Sequence, residues 1–372
     1  MLLIYSKLAC NNEVFIFIYV ILPMKVLVLP GEGIGPEIMG STLRIINKLN
    51  ENYNCNIEPE INNVNAGMFS DGKYTIDELI DEAKKYRAIL KAPMGNPEIR
   101  NAGGTESGLD IILGLRFRLD LYADVRPVKL LPGVASVLKG FDDKKIDYTI
   151  VRENSEGLYS SHFGGLTLRD DVSIDTQVIT RKGTERISKF AFELSKKSNG
   201  NAYGDRIVTC VDKSNVLKSF SFFRKVFTEV SKNYGNIKSQ YIYGDAMTQY
   251  MLLNPDKLNV VVSENMFADL LSDLGAATVG GLGIAPSANM SDKMGMFEPV
   301  HGSAPDIAGK GIANPVAMIL STSMMLDFLN FKEASRSLEN AVYKNLSSGL
   351  KTPDLGGKLT TEKFTDEILK KL

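Results

Sequence analysis

The sequence predicts an α/β protein, and three observations carry that expectation. An apolar strand over 25–29 runs into P-G-E-G-I-G-P-E and then a helical pattern with Ile38, Leu43, Ile45, Ile46 and Leu49 on its apolar side. Further short apolar runs, at 87–90, 147–151, 206–211 and 258–262, alternate with longer amphipathic stretches. Charged residues follow several of these strands directly, at Arg152, Lys213 and Glu264. In open α/β sheets the carboxyl ends of strands form the active crevice, so these charges are of more interest than charges on helix surfaces.

Taken in order, the first strand and its glycine turn open the working domain near Met24. The run before it, V-F-I-F-I-Y-V-I-L at 14–22, is too short to span a bilayer, follows Asn11, Asn12 and Glu13, and has no small-residue cleavage site after it. Residues 1–23 therefore read as an extension or a misplaced start, with an extra edge strand as the competing reading. The strand at 87–90 ends at K-A-P-M-G, and 96–107 reads as a glycine-rich loop. A helix is expected over 111–122, containing Arg116 and Arg118. The stretch 184–197 is amphipathic through Ile187, Phe190, Ala191 and Leu194. Residues 217–230 read as a helix, and the four glycines of 275–283 as a crossover between domains. Residues 296–314 read as a long loop, 315–329 as an apolar helix, and 330–372 as helical with a break near Pro353.

The 372 residues give room for two ordinary domains, and 44% apolar content is enough for large cores. A net charge of −1 gives no global reason to expect a nucleic-acid partner. The three widely spaced cysteines form neither a metal knuckle nor a disulfide framework, which suits a reducing, cytoplasmic setting. With only two histidines, any hard-metal site must use oxygen ligands.

Three aspartates offer such ligands. Asp269 and Asp273 stand four apart in N-M-F-A-D-L-L-S-D, one turn apart on one helix face, and Asp245 lies in Y-I-Y-G-D-A-M-T-Q. They would suit Mg²⁺ or Mn²⁺, although the spacing alone favours a solvated helix face, since acidic pairs four apart are common. Arg116, Arg126 and Arg152 could together fork a dicarboxylic acid, while any one of them alone could be a surface charge. Tyr159 and Lys213 are possible proton-transfer groups, or a core-edge tyrosine and a strand-end salt bridge. His162 reads as structural or exposed. G-E-G-I-G-P departs from the G-x-G-x-x-G fingerprint because Pro36 takes the last glycine position, so its glycines serve packing or some other cofactor contact.

Four long segments in register carry a resemblance: V-R-E-N-S-E-G-L-Y, V-D-K-S-N-V-L, N-M-F-A-D-L-L-S-D and E-P-V-H-G-S-A-P-D-I-A-G-K-G-I-A-N-P. With them the chain, from Met24 almost to its end, resembles the β-decarboxylating dehydrogenases that act on 3-isopropylmalate, isocitrate, homoisocitrate, tartrate or D-malate. The resemblance implies two interleaved α/β domains rather than a Rossmann fold. The larger would hold 24–122 and 279–372, and the smaller 123–278 with the dimer contacts. It implies NAD as oxidant and a divalent ion as Lewis acid, with loss of CO₂ from C3 following oxidation at C2.

Roles follow from the same resemblance. Arg116, Arg126 and Arg152 look like carboxylate clamps, Tyr159 like the group that protonates the enol carbon, and Lys213 like the base. Asp245, Asp269 and Asp273 look like the metal carboxylates. The lysine and Asp245 are expected to reach in from the partner of a homodimer, which could assemble further to a tetramer. His301, Gly302, Ser303, Ala304 and Asn314 look like cofactor contacts. Asp306 and Ile307 occupy the adenosine-ribose region, where a carboxylate favours NAD over NADP.

Two departures matter. Glu32 replaces the aspartate of the usual first motif, and a packing effect is expected. Leu109 stands where isopropylmalate enzymes commonly carry glutamate, with Ile112 and Leu113 on the same face. A third substrate carboxylate there would be desolvated without a partner. The expected substrate is (2R,3S)-3-isopropylmalate, as in leucine synthesis. D-malate or tartrate, isocitrate or homoisocitrate, and an inactive regulatory subunit stand as alternatives.

Overall fold

The computed structural model describes residues 23–96, 98–100, 106–141 and 145–372. The apolar run at 14–22 lies outside the described residues, as do Pro97 and 101–105 of the expected glycine-rich loop.

The chain opens with β1 (Met24–Leu29), α1 (Gly35–Tyr53), β2 (Ile57–Ile61), the short helices α2 (Ala66–Ser70) and α3 (Ile76–Ala83), β3 (Ala88–Lys91) and α4 (Ser107–Arg118). Then come β4 (Ala123–Lys129), β5 (Asp147–Glu153), a 3-10 turn (Leu158–Phe163), and the hairpin β6 (Leu166–Leu168) and β7 (Val172–Ile174). Next are α5 (Arg181–Lys197), β8 (Ile207–Asp212), α6 (Lys218–Ser231), β9 (Lys238–Tyr243), α7 (Gly244–Leu253), β10 (Val260–Ser263) and α8 (Asn265–Thr278). The chain closes with β11 (Pro286–Met290), β12 (Gly295–Pro299), α9 (Val316–Phe328), α10 (Lys332–Ser347) and α11 (Thr361–Leu369).

Ten strands form one sheet in the order β2-β1-β3-β12-β11-β4-β5-β10-β8-β9. Two parallel blocks, β2-β1-β3-β12 and β5-β10-β8-β9, are joined by antiparallel pairings through β11 and β4. Helices cover both faces, so strand residues alternate between two cores. In β1, Val26 and Val28 face the core of α1, α9, α10 and α11, while Leu27 and Leu29 face that of α3 and α4. In the other block, Val151 joins the core of α5 and α6, and Ile150 that of α7 and α8.

Local chemistry starts and stops the elements. Pro36 opens α1 where its missing N–H costs nothing, and Asn54, at φ 51°, ends it. Thr75 and Glu78 form a reciprocal capping box on α3. Glu264 follows its strand as the sequence suggests, but its carboxylate caps α8 by accepting from Met266 N and Phe267 N instead of facing substrate.

Three boundaries differ from the sequence reading. The helix expected over 111–122 starts and stops earlier, at Ser107 and Arg118, and Asp120 at φ 49° turns the chain into β4. The loop expected over 296–314 begins inside β12, because Met296 and Phe297 pair with Ile89 and Leu90. The crossover expected over 275–283 starts as the last turn of α8, where Gly275 leaves room for Val128, 2.8 Å from where a Cβ would stand.

The G-E-G-I-G-P loop packs closely on its neighbours. Glu32 Oε2 accepts from Ala66 N (3.1 Å) and Gly95 N (2.8 Å). Ile34 N donates to Ser303 O at 2.9 Å, and Gly33, at φ 61°, would place a Cβ 2.0 Å from that same carbonyl. Gly33→Ala is therefore expected to destabilise the fold by about 2 kcal/mol or more, read as a lower urea midpoint.

Candidate active-site cleft

A cleft of about 1100 Å³ straddles the seam between the two blocks. On one wall α4 presents Leu109, Ile112, Leu113 and Arg116, a spacing of three, four and seven that keeps them on one helix face. Leu109 is 43% exposed, whereas Leu113 is 8% exposed. The opposite wall carries Arg126 of β4, Arg152 of β5, Tyr159 of the 3-10 turn and Asp269 of α8. His301, Gly302, Ser303 and Ala304 line the cleft after β12.

The three arginines differ in their partners. Arg116 donates to Glu298 Oε1 at 3.0 Å, and its buried Nε has no hydrogen-bond partner among the described residues. Arg126 donates from Nε to Asp124 (2.8 Å), and from one Nη to Asp269 (2.9 Å) and Ser272 (2.6 Å). Arg152 forks onto Asn265 Oδ1 at 2.9 and 2.7 Å and also reaches Asp269. Burial works against the charge of Arg126, but Asp124 and Asp269 outweigh it and raise its pKa. For Arg152, burial and the neighbouring Arg126 win and pull it down to about 10. The two arginines of that wall thus meet Asp124 and Asp269 within the chain, with Asp273 3.9 Å from Arg126.

Tyr159 donates to Asp269 Oδ2 at 2.9 Å, and burial, reinforced by that carboxylate, raises the phenol. Asp269 is itself held low: burial opposes its charge, but Arg152 and Arg126 overcome it. Asp273 lies one turn on, 3.9 Å from Arg126, and burial raises it despite that arginine.

The structure does not bring every expected residue into one cleft. Lys213 and Asp245 do not line it; Lys213 Nζ instead meets Asp245 Oδ1 at 2.6 Å beyond the ends of β8 and β9. Among the described residues of this one chain, no group of three or more His, Cys, Asp or Glu is placed to hold a metal ion. The paired carboxylates of α8 are hard oxygen donors of the kind that suits Mg²⁺ or Mn²⁺. Asp306 and Ile307 form a 3-10 turn beside the cleft after Ala304, which sits at φ 40°. His301 Nδ1 lies 3.0 Å from Gly302 O, its buried Nε2 has no described partner, and burial lowers its pKa. Asn314 donates to Asp354 at 2.8 Å, and its Oδ1 accepts from Val316 N at the start of α9.

Several cleft residues were not singled out from sequence. Lys91 Nζ meets Glu298 Oε2 at 2.5 Å, and both side chains are buried. The only hint was a lysine closing an apolar strand. Asn265 was visible as the residue one turn before Asp269. His162, read as structural or exposed, lines the cleft and bonds Asp110 of α4 at 2.6 Å, so it ties the 3-10 turn to the opposite wall.

The isocitrate/isopropylmalate dehydrogenase family model matches residues 25–368. The chain belongs to that family. This makes it an NAD-dependent decarboxylating dehydrogenase of a 2-hydroxy dicarboxylic acid. It is 42% identical over 354 residues to a 3-isopropylmalate/3-methylmalate dehydrogenase of Methanocaldococcus jannaschii, covering 94% of this chain and 98% of the relative. It is 41% identical over 356 residues to a homoisocitrate dehydrogenase of the same organism, covering 93% and 97%. Near-equal similarity to enzymes named for different substrates leaves the choice of substrate to the cleft wall. An isocitrate dehydrogenase from Methylococcus capsulatus superposes with a TM-score of 0.81 at 31% identity, over 93% of this chain and 98% of that one. Among the described residues no helix is long and apolar enough to cross a membrane.

Proposed function

We propose that the protein converts (2R,3S)-3-isopropylmalate to 4-methyl-2-oxopentanoate and CO₂, with NAD and Mg²⁺ or Mn²⁺. The observation that carries this reading is the pairing of an arginine-rich wall with the apolar α4 face of Leu109, Ile112 and Leu113 across one cleft. Burying an isopropyl group there gains roughly 0.8 kcal/mol per methylene-sized unit. A third carboxylate would instead lose its water beside leucine and isoleucine.

Bound NAD would accept a hydride from C2, and a divalent ion held by Asp269, Asp273 and the partner's Asp245 would act as a Lewis acid. The protein's own groups do the rest. Arg116, Arg126 and Arg152 bind and orient the two carboxylates. The partner's Lys213 takes the C2 hydroxyl proton, directly or through a water, as C2 is oxidised. CO₂ then leaves from C3, and Tyr159 delivers a proton to that carbon. His301, Gly302, Ser303, Ala304 and Asn314 hold the cofactor, and Asp306 with Ile307 favours ribose hydroxyls over a 2′-phosphate. The division into 24–122 with 279–372 and 123–278 puts Arg116 on one body and the other two arginines on the second, so closure would complete the clamp.

A homodimer is part of this reading. Val216, Leu253 and Leu270 are 68%, 69% and 64% exposed, apolar side chains that a second copy would cover. The test compares kcat/KM for 3-isopropylmalate, D-malate, tartrate, isocitrate and homoisocitrate, with NAD and Mn²⁺. Isopropylmalate is expected to lead. A lead for D-malate or homoisocitrate would move the substrate assignment, and no turnover with any would favour a regulatory subunit.

A further inference from the structure

Arg224 lies outside the cleft, on α6, yet it ties together the two strand ends that carry Lys213 and Asp245. β8 and β9 are parallel neighbours with Asp212 level with Tyr243. Lys213 leaves β8 one residue later, and Asp245 leaves β9 two residues later. The carboxylate of Asp212 is fully buried. Arg224 forks onto it, with Nε to Oδ2 at 2.7 Å and an Nη to Oδ1 at 3.0 Å. The same Oδ1 accepts from Ser214 N at 2.8 Å, which fixes the turn around Lys213.

The guanidinium also reaches the next strand. It lies 4.9 Å from the centre of the Tyr243 ring and 5.3 Å from that of Tyr241, side chains two apart on one face of β9. Thr228, one turn along α6, meets the Tyr241 hydroxyl at 3.0 Å. A residue needed only to neutralise Asp212 would require the fork and nothing more. The ring contacts couple that fork to the strand from which Asp245 departs.

We propose that Arg224 is a positioning residue that holds Lys213 and Asp245 in the relative placement needed for their joint delivery to a partner's cleft. The inference rests on the roles proposed above for those two residues. Arginine suits this place because its planar fork binds the carboxylate while its faces stack on the rings; lysine would supply charge without either.

The test uses the full-length protein and four variants: R224K, R224Q, Y243L and K213A. Y243L removes the ring contact while leaving the Asp212–Arg224 pair intact, so it decides the matter should R224Q fail to fold. R224K and Y243L are expected to lose about ten- to a hundred-fold in kcat with the KM for NAD unchanged, and R224Q more than R224K. Mn²⁺ binding to the dimer, followed without substrate by electron paramagnetic resonance, is expected to weaken about ten-fold in the same variants. A role confined to stability would shift the melting temperature and leave Mn²⁺ affinity and kcat alone. Unchanged kcat and Mn²⁺ affinity in folded R224K and Y243L, beside an inactive K213A, would overturn the positioning role. Full turnover in K213A would overturn the role of Lys213 itself and this inference with it, and the two failures are thereby distinguished.

Discussion

Co-expressed Y159F and K213A chains are expected to recover about a quarter of wild-type turnover, although each variant alone falls about 10²- to 10⁴-fold. Tyr159 lies in the cleft of its own chain, bonded to Asp269. Lys213 does not line that cleft and pairs with Asp245. If each site takes Tyr159 from one chain and Lys213 from the other, a mixed dimer holds one doubly defective site and one intact site. Random assembly makes half the dimers mixed, each with one working site of two. Lys213→Ala should leave the fold almost untouched, because its partner Asp245 is 72% exposed in its side chain and stays hydrated. Steady-state assay of the mixture against each purified homodimer provides the check. Absence of recovery in a mixture with confirmed mixed dimers would place both residues in one chain's site and remove the case for shared catalysis.

Glu298→Ala is expected to destabilise the protein by about 3–5 kcal/mol. Glu298 is buried on β12, where it meets Lys91 at 2.5 Å and Arg116 at 3.0 Å and accepts from Asn289 at 2.8 Å. Removing it leaves two buried cations facing each other without a counter-charge. Burial alone would raise this carboxyl, but Lys91 and Arg116 overcome it and hold it at about 2. The sign follows from that depression. Its stabilising contribution is full above the ordinary carboxylate pKa near 4.5 and is lost as pH falls from there towards 2. The gap in urea midpoint between wild type and E298Q should therefore be wide at pH 7 and narrow by pH 3. A gap that did not change with pH would mean that the carboxylate's charge contributes nothing to the fold.

Much of the fold was legible along the chain because it depends on near neighbours. The 25–29 strand, the glycine turn and the periodic helix after it all appear, since apolar periodicity and local turn chemistry act over a few residues. The common face of Leu109, Ile112, Leu113 and Arg116 is likewise a consequence of helical spacing. Polar edge strands were harder: β2 and β9 carry charged and exposed residues and show no apolar run. β4 is hard to read because Pro127 sits within it, although β5 pairs straight through that proline and β11 pairs with Ala123–Val125.

By itself the sequence determined the α/β class, the family, the arginine set and the acidic pair on α8. Each of these is written in residue types, local spacing or long motifs. Only the tertiary structure decided which charges meet. The parallel register of β3 and β12 sets Leu90 opposite Phe297, and so brings Lys91 beside Glu298 from more than two hundred residues away. The antiparallel seam at β11 and β4 decides that Arg116 faces Arg126 and Arg152 across one cleft. The same fold sets Lys213 and Asp245 against each other, outside the lining of their own chain's cleft. Strand pairing fixes such meetings through backbone hydrogen bonds between distant segments, and no local pattern of side chains records that register.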